Sequence, residues 1–189
     1  MTDEEWPERR FGWSNMFVAR EDDPREAGET PRGELATLVR FLRDYRLTLE
    51  LKCSGLDAEA MARRSVPPSD LSLLGLVRHL TDVERYWFRR VMDGQDAPAL
   101  YWTDADPGVD FTGAVAERGA ADAAWEAWRA EVGFAERFVE GAPDLDVTGH
   151  LDDGPIELRV VPVHMIEEYA KHCGHADLVR ERIDGRVGQ

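Results

Sequence analysis

The chain has 189 residues, with 38 acidic and 23 basic side chains and a formal net charge of −15. This charge argues against a nucleic acid partner and against an anionic membrane surface, because both are bound by clusters of Lys and Arg. The sequence has no apolar run of about 18 residues that could span a membrane, and its N-terminus lacks the apolar core of a signal peptide. We therefore expect a cytoplasmic protein with a single main domain.

The chain begins with a charged, irregular segment. Residues 1–30 contain few large apolar side chains, which is typical of an arm on the surface or at a subunit contact, with a disordered segment as the alternative. Apolar residues then recur at three- and four-residue spacing over about residues 31–53, with Thr30 as the N-cap and Pro31 as the first helical residue. The sequence thus predicts an arm followed by a helical domain over residues 31–189.

Two more long helices are predicted in the middle of the chain. The second spans residues 70–93, with Ser69 or Asp70 as its N-cap, and the third spans about residues 113–140. The loop between them, residues 94–112, is rich in Asp, Pro and Gly and carries three aromatic side chains. Such a loop could overhang a pocket, but we favour aromatic side chains that only hold it against the helices.

The last helix is predicted over residues 160–185, after a short hairpin or loop. At about 100° per residue, four polar side chains fall within one quarter of its circumference. These are His164, Glu168, His172 and His175. One interpretation is a solvated polar face. The other is a metal site, because Glu168 and His172 stand one turn apart and can converge on a single ion.

A catalytic zinc site needs a third protein ligand, which could be His164 or a residue from elsewhere in the chain. His79 lies at the edge of the apolar stripe of the second helix. A histidine in such a place is most often a partly buried structural side chain, but His79 is also the one that a bundle could turn inward.

Four long amphipathic helices predict an all-α four-helix bundle, whose sites are built from inward side chains on facing helices. Cys53 and Cys173 are expected to be buried and reduced.

Two segments of the sequence resemble a known family. The segment LSLLGLVRHLTDVERYWFRRVM together with HMIEEYAKHCGHADLVRERIDG is similar to the DinB/YfiT-like metalloenzymes, and the similarity covers about residues 31–185. Most members hold zinc or nickel with one histidine of the second helix and an HxxxH pair of the last. The resemblance implies the ligands His79, Glu168 and His172, with Glu in place of the first histidine of the pair. The Glu-x3-His arrangement resembles mycothiol-dependent maleylpyruvate isomerases, whose zinc ligands are His, Glu and His.

The resemblance also implies a function. Two neutral imidazoles and one carboxylate leave zinc positively charged with an open position, where a thiol can lose its proton near neutral pH. We therefore expect a zinc-dependent S-transferase or isomerase that joins mycothiol, a low-molecular-weight thiol, to a small electrophile. His164 and His175 flank the ligands and are expected to transfer protons or to orient the ligands, unless they are only surface residues.

Other readings stay open. A non-catalytic metal-binding or stress-associated interaction protein is the alternative, and it predicts a stability that does not depend on metal. A metal-dependent hydrolase is less favoured, because the sequence places no separate general base. The resemblance also implies a homodimer, which agrees with the presence of six tryptophans, more than one bundle core needs.

Overall fold

The computed structural model describes residues 7–8, 10–11, 17–117 and 119–188. Within these residues the chain is mostly helical, with six helices, and none of the helices combines the length and apolarity needed to cross a membrane. The long helices are α1 (Glu34–Cys53), α3 (Leu73–Glu84, continued as a π-helix over Arg85–Met92), α5 (Ala120–Gly141) and α6 (Val160–Asp184). The short elements are α2 (Ala58–Ala62), α4 (Val109–Thr112), β1 (Arg10–Phe11), β2 (Thr148–Leu151), β3 (Gly154–Glu157), β4 (Arg186–Val187) and the 3₁₀ turns Arg20–Asp22 and Pro24–Glu26.

Two helices begin later than the sequence predicted. Helix α1 begins at Glu34 and not at Pro31, because Gly33 precedes it with a φ of +83° that interrupts the helical conformation. Helix α5 begins after Gly119, which also has a φ of +83°. The helix predicted over residues 113–140 therefore loses its first two turns, and the short helix α4 lies in the segment predicted as the loop 94–112.

Helix α3 changes its geometry half-way along. It begins after Ser72, whose hydroxyl accepts a hydrogen bond from the N–H of Gly75, and not after the residues predicted as N-cap. From Arg85 onward it is a π-helix, in which the N–H of Asp93 bonds the carbonyl of Phe88 five residues earlier. Such wide turns are common at functional sites. The sequence pattern predicted a regular α-helix here, because apolar periodicity does not distinguish the two geometries over two turns.

The long helices pack in pairs around one core. Helix α1 lies along α6, and α3 packs against both α5 and α6. Side chains from all four helices are buried between them, including Leu49 of α1, Leu76 and Phe88 of α3, Trp128 and Ala135 of α5, and Met165 of α6. This packing brings the polar face of α6 against one face of α3.

A buried polar network joins the four long helices inside this core. Arg46 of α1 donates to both carboxylate oxygens of Glu84 of α3, at 2.8 and 2.7 Å. The hydroxyl of Tyr169 of α6 donates to the same carboxylate and accepts a hydrogen bond from the indole of Trp128 of α5, both at 2.8 Å. Because Tyr169 is the neighbour of Glu168, this network fixes the rotation of α6 that presents Glu168 to α3.

A hairpin connects α5 to α6, which is one of the two alternatives that the sequence predicted. Strands β2 and β3 are antiparallel, and Leu151 pairs with Gly154 at the turn. Gly149 lies directly against the end of α3, where a Cβ atom would overlap the backbone carbonyl of Val91. The hairpin can therefore approach α3 only with glycine at this position.

The predicted N-terminal arm lies partly outside the described residues, including Trp6 and Trp13. In the described part, β1 pairs in parallel with β4. Phe17 is buried, and the guanidinium of Arg186 lies 5.0 Å from the centre of its ring. The division of the chain into an arm and a domain stays a prediction.

Candidate metal centre

The three residues implied as metal ligands lie together in the structure. His79 comes from α3, Glu168 and His172 come from α6, and each offers a ligand atom within 4.8 Å of the other two. Oε2 of Glu168 is 3.3 Å from Nε2 of His172 and 3.8 Å from Nε2 of His79. No other group of three or more His, Cys, Asp or Glu side chains is arranged in this way among the described residues.

The two imidazoles have buried nitrogens that lack a hydrogen-bond partner. In the described part of the chain, Nε2 of His79 and Nε2 of His172 are buried without a hydrogen bond, and the nearby oxygen of Glu168 does not meet the geometry of one. Leaving a polar atom buried and unpaired costs about 1–3 kcal/mol. A cation bound by these nitrogens would remove this cost, and two imidazoles with one carboxylate are a donor set suited to zinc.

The pKa of His172 favours the form that can bind a metal. Burial disfavours the charged imidazolium, and the neighbouring His79 adds to this effect, so the pKa of His172 falls to about 4. At neutral pH the ring is therefore uncharged and has a free lone pair. A metal would not have to displace a proton from His172.

His79 is held from behind by a carboxylate. Its Nδ1 lies 2.8 Å from Oδ2 of Asp110, which is buried at the start of α4. The ring of Phe111 stacks on the imidazole of His79, and the two ring centres are 5.1 Å apart. A carboxylate that accepts a hydrogen bond from Nδ1–H fixes the tautomer in which the Nε2 lone pair is free for a metal. Sequence reasoning missed Asp110, because its place in a loop gives no signal that it contacts a residue 31 positions earlier.

Glu168 and His172 also have partners on their outer sides. Nζ of Lys171 lies 2.7 Å from Oε1 of Glu168, which leaves Oε2 toward the histidines. Partial burial favours the protonated acid, but the hydrogen bond and charge of Lys171 outweigh it, so the pKa of Glu168 is lowered. Nδ1 of His175 lies 3.3 Å from Nδ1 of His172. His175 therefore contacts the ring nitrogen of His172 that does not face Glu168, where it can orient this ligand. His175 does not line the cavity that opens beside the three ligands.

A cavity of about 1000 Å³ opens beside the three ligands. Its walls come from α3, from the loop after α3, from α4 and from α6, and His79 and Glu168 line it. This volume is at the upper end of ordinary small-molecule sites, about 300–1,000 Å³. His164 also lines the cavity, with its ring 4.6 Å from that of Trp87, so it can contact a bound molecule.

The loop predicted over residues 94–112 forms one wall of this cavity. Trp102 and Phe111 line it, so the favoured interpretation, in which the aromatic side chains only hold the loop to the helices, was wrong for these two. The favoured interpretation fits Tyr101, because the guanidinium of Arg78 on α3 lies 4.6 Å from the centre of the Tyr101 ring. The structure decides this point because the spacing of aromatic residues in a loop does not show which of them face a cavity.

A second cavity, of about 770 Å³, lies between α1 and α5. It is lined by apolar side chains such as Leu35, Val39 and Val139, together with charged side chains at its edge. No histidine or cysteine lines it. The candidate chemistry therefore lies in the first cavity.

The predicted thiols are buried as expected. Cys53 and Cys173 are both free and buried in the contact between α1 and α6. Burial raises the pKa of Cys173 to about 12, and burial also raises the pKa of Cys53. Neither thiol is available as a nucleophile.

Comparison with known sequences assigns the chain to a family. No curated protein matches it. A sequence model described as Mycothiol-S-transferase matches residues 37–185, which run from α1 to the end of α6 and include all three candidate ligands. This match agrees with the resemblance found in the sequence. The chain belongs to the mycothiol S-transferase family.

Proposed function

We propose that this protein is a zinc-dependent mycothiol S-transferase, in which His79, Glu168 and His172 hold the metal. One observation carries the proposal. Two buried imidazole nitrogens without another partner face the same carboxylate oxygen beside a large cavity, in a chain of the mycothiol S-transferase family. We also propose that the four long helices form a four-helix bundle of the DinB/YfiT type.

The number of ligands supports a catalytic site over a structural one. Structural zinc sites have four protein ligands, whereas catalytic sites have three and leave a position open to water or substrate. The donor set of two nitrogens and one oxygen suits zinc and also accommodates nickel, and availability favours zinc. When bound, such a cation lowers the pKa of a thiol at the open position, so that a thiolate exists at neutral pH.

Other residues of the chain orient the ligands or transfer protons. Asp110, Lys171 and His175 hold the three ligands in place from behind. His164 lines the cavity and is positioned to take up the thiol proton or to return it to the leaving group. In the transfer, the thiolate sulfur bonds to the electrophilic atom of the second substrate. The leaving group departs with the electrons of the broken bond and takes up a proton.

Several points remain predictions of the sequence. These are the cytoplasmic location, the homodimer and the small electrophile as second substrate. The net charge of −15 favours a substrate without multiple negative charges, since the chain as a whole repels anions.

The test combines metal analysis with mycothiol turnover. The protein is purified without an affinity tag, as wild type and as His79→Ala, Glu168→Ala and His172→Ala, with His150→Ala as the control because His150 is exposed on the hairpin. We expect about one zinc per chain in wild type and control, and loss of zinc and of mycothiol consumption with a general electrophile such as monochlorobimane in the other three. A wild type that stays metal-free after zinc is offered contradicts the proposal, as does zinc retained in all variants.

A further inference from the structure

The cavity has an aromatic wall that the proposed metal chemistry does not use. Tyr86 and Trp102 line it, together with the ring of Trp87. Tyr86 is 40% exposed and Trp102 is 41% exposed, so both side chains can contact a ligand in the cavity. Exposed aromatic side chains of this kind are binding surfaces, because they offer a large rigid contact area with little loss of conformational entropy.

The position of Trp102 is fixed by a buried carboxylate. Asp82 of α3 accepts three backbone hydrogen bonds, from the N–H groups of Leu100, Tyr101 and Trp102, at 2.6, 2.9 and 2.8 Å. Asp82 is only 9% exposed, and hydrogen bonds to an ionised acceptor are among the strong ones. Arg85 adds a hydrogen bond to the carbonyl of Pro98 at 2.7 Å. The backbone that carries the indole is therefore held in place before any ligand binds.

Polar groups surround the aromatic wall. Arg90 and Asp104 line the same cavity and are exposed. Neither makes an ion pair within 4.0 Å among the described residues, although the guanidinium of Arg90 lies 5.7 Å from the ring centre of Tyr86. Their free donors and acceptors suit the hydroxyl groups of a polyol.

The size of the cavity also points to a large ligand. A volume of about 1000 Å³ exceeds what a cysteine-sized thiol and a small electrophile need. Mycothiol consists of an N-acetylcysteine joined through an amide to glucosamine, which is joined to inositol. It has no net charge when the thiol is protonated, so ring stacking and hydroxyl hydrogen bonds are the interactions that can recognise its sugar part.

We propose that Trp102 and Tyr86 form the subsite for the glucosaminyl-inositol part of mycothiol, with Arg90 and Asp104 as hydrogen-bond partners of its hydroxyls. One ring stacks on the indole of Trp102, while the thiol end extends to the site of His79, Glu168 and His172. This inference rests on the proposed function.

The test compares two thiols on the zinc-loaded protein. One is mycothiol, and the other is N-acetylcysteinamide, which keeps the thiol end but lacks the sugar. The variants are Trp102→Ala, Trp102→Phe and the matched control Leu100→Ala, whose side chain is 47% exposed on the same loop and does not line the cavity. KM and kcat are measured for both thiols, and zinc content is measured for every variant.

We expect Trp102→Ala to raise the KM for mycothiol about tenfold, the size of effect that losing a good aromatic contact gives. The KM for N-acetylcysteinamide, kcat and zinc content should stay the same. Trp102→Phe should keep part of the affinity, and Leu100→Ala should match wild type.

Three results separate this inference from the proposed function. Equal KM values for the two thiols in the wild type would overturn the subsite and leave the transferase intact. A Trp102→Ala variant that loses nothing, or that weakens both thiols alike, would also overturn the subsite. A wild type that binds mycothiol without turnover, and loses this binding in Trp102→Ala, would support the subsite and contradict the transferase.

Discussion

Nδ1 of His79 lies 2.8 Å from Oδ2 of the buried Asp110, although the two residues are 31 positions apart. This contact joins α3 to the short helix α4 and decides which nitrogen of His79 faces Glu168. The ring of Phe111 also stacks on His79 and limits rotation of the imidazole. The orientation of the candidate ligand is therefore set by residues of the loop that forms the cavity wall.

Replacing Asp110 should weaken metal binding. In Asp110→Ala, His79 loses the group that fixes its tautomer and orientation, and loss of such a partner typically lowers metal affinity about 10- to 100-fold. Zinc affinity is measured by competition with a chromophoric chelator. Asp96→Ala serves as the control, because Asp96 is exposed on the same loop and does not line the cavity. Wild-type affinity in Asp110→Ala would show that the contact does not position the ligand.

His164 and His175 should differ in what their loss affects. His164 lines the cavity, whereas His175 contacts the outer nitrogen of His172. We expect His164→Gln to keep its zinc and to lose mycothiol turnover, by about 100-fold if His164 transfers the proton. We expect His175→Gln to weaken zinc binding instead. Parallel metal titration and steady-state kinetics distinguish the two effects, and an identical pattern for both variants would contradict these roles.

The metal-free protein should become less stable in mild acid because of His172. Its pKa is about 4 in the folded chain, against 6.5 as the ordinary value. Between these values the unfolded chain binds a proton that the folded chain does not, so the free energy of unfolding rises with pH. The contribution is complete above about pH 6.5 and is lost as the pH falls to about 4, with a size on the order of 3 kcal/mol.

Urea unfolding after chelator treatment, from pH 4 to 7.5, measures this dependence. The comparison is between wild type, His172→Gln and the exposed control His150→Gln. His172→Gln should show a smaller rise of stability with pH, whereas the control should follow wild type. Parallel curves for all three proteins would rule out the assigned effect of His172.

The buried network should be far more sensitive to substitution than a surface ion pair. Glu84→Gln removes the charge that pairs with the buried Arg46 and leaves only the exposed Glu136, 3.7 Å from the guanidinium, as its counter-ion. Removing one partner of a buried ion pair typically costs about 3–5 kcal/mol. Arg129→Ala breaks an exposed pair with Glu50 and should cost less than about 1 kcal/mol. Urea unfolding measures both, and equal costs would contradict the assignment. Since Tyr169 donates to Glu84, Glu84→Gln should also weaken zinc binding.

The local part of this site follows from the amino-acid sequence alone. The spacing of Glu168 and His172 on α6 follows from the helical repeat, because residues four apart face the same way in any α-helix. The same local signals predicted the hairpin and the end of α6, where Gly185 takes a φ of +75°. His79 was identified as the third ligand by the resemblance of two segments to a family. The residues around His79 in the sequence did not distinguish it from a structural histidine.

The contacts between distant segments depend on the packing of the whole chain. This packing brought Asp110 behind His79 and three N–H groups of the loop onto Asp82, and it turned Trp102 into the cavity. Helical periodicity reports which side of a helix is apolar, and it is set by backbone geometry over a few residues. The contact of Asp82 with Leu100 spans 18 residues, and the approach of His79 to His172 spans 93. Such contacts depend on how whole helices and loops pack, and the spacing of residues within a single segment does not encode that packing.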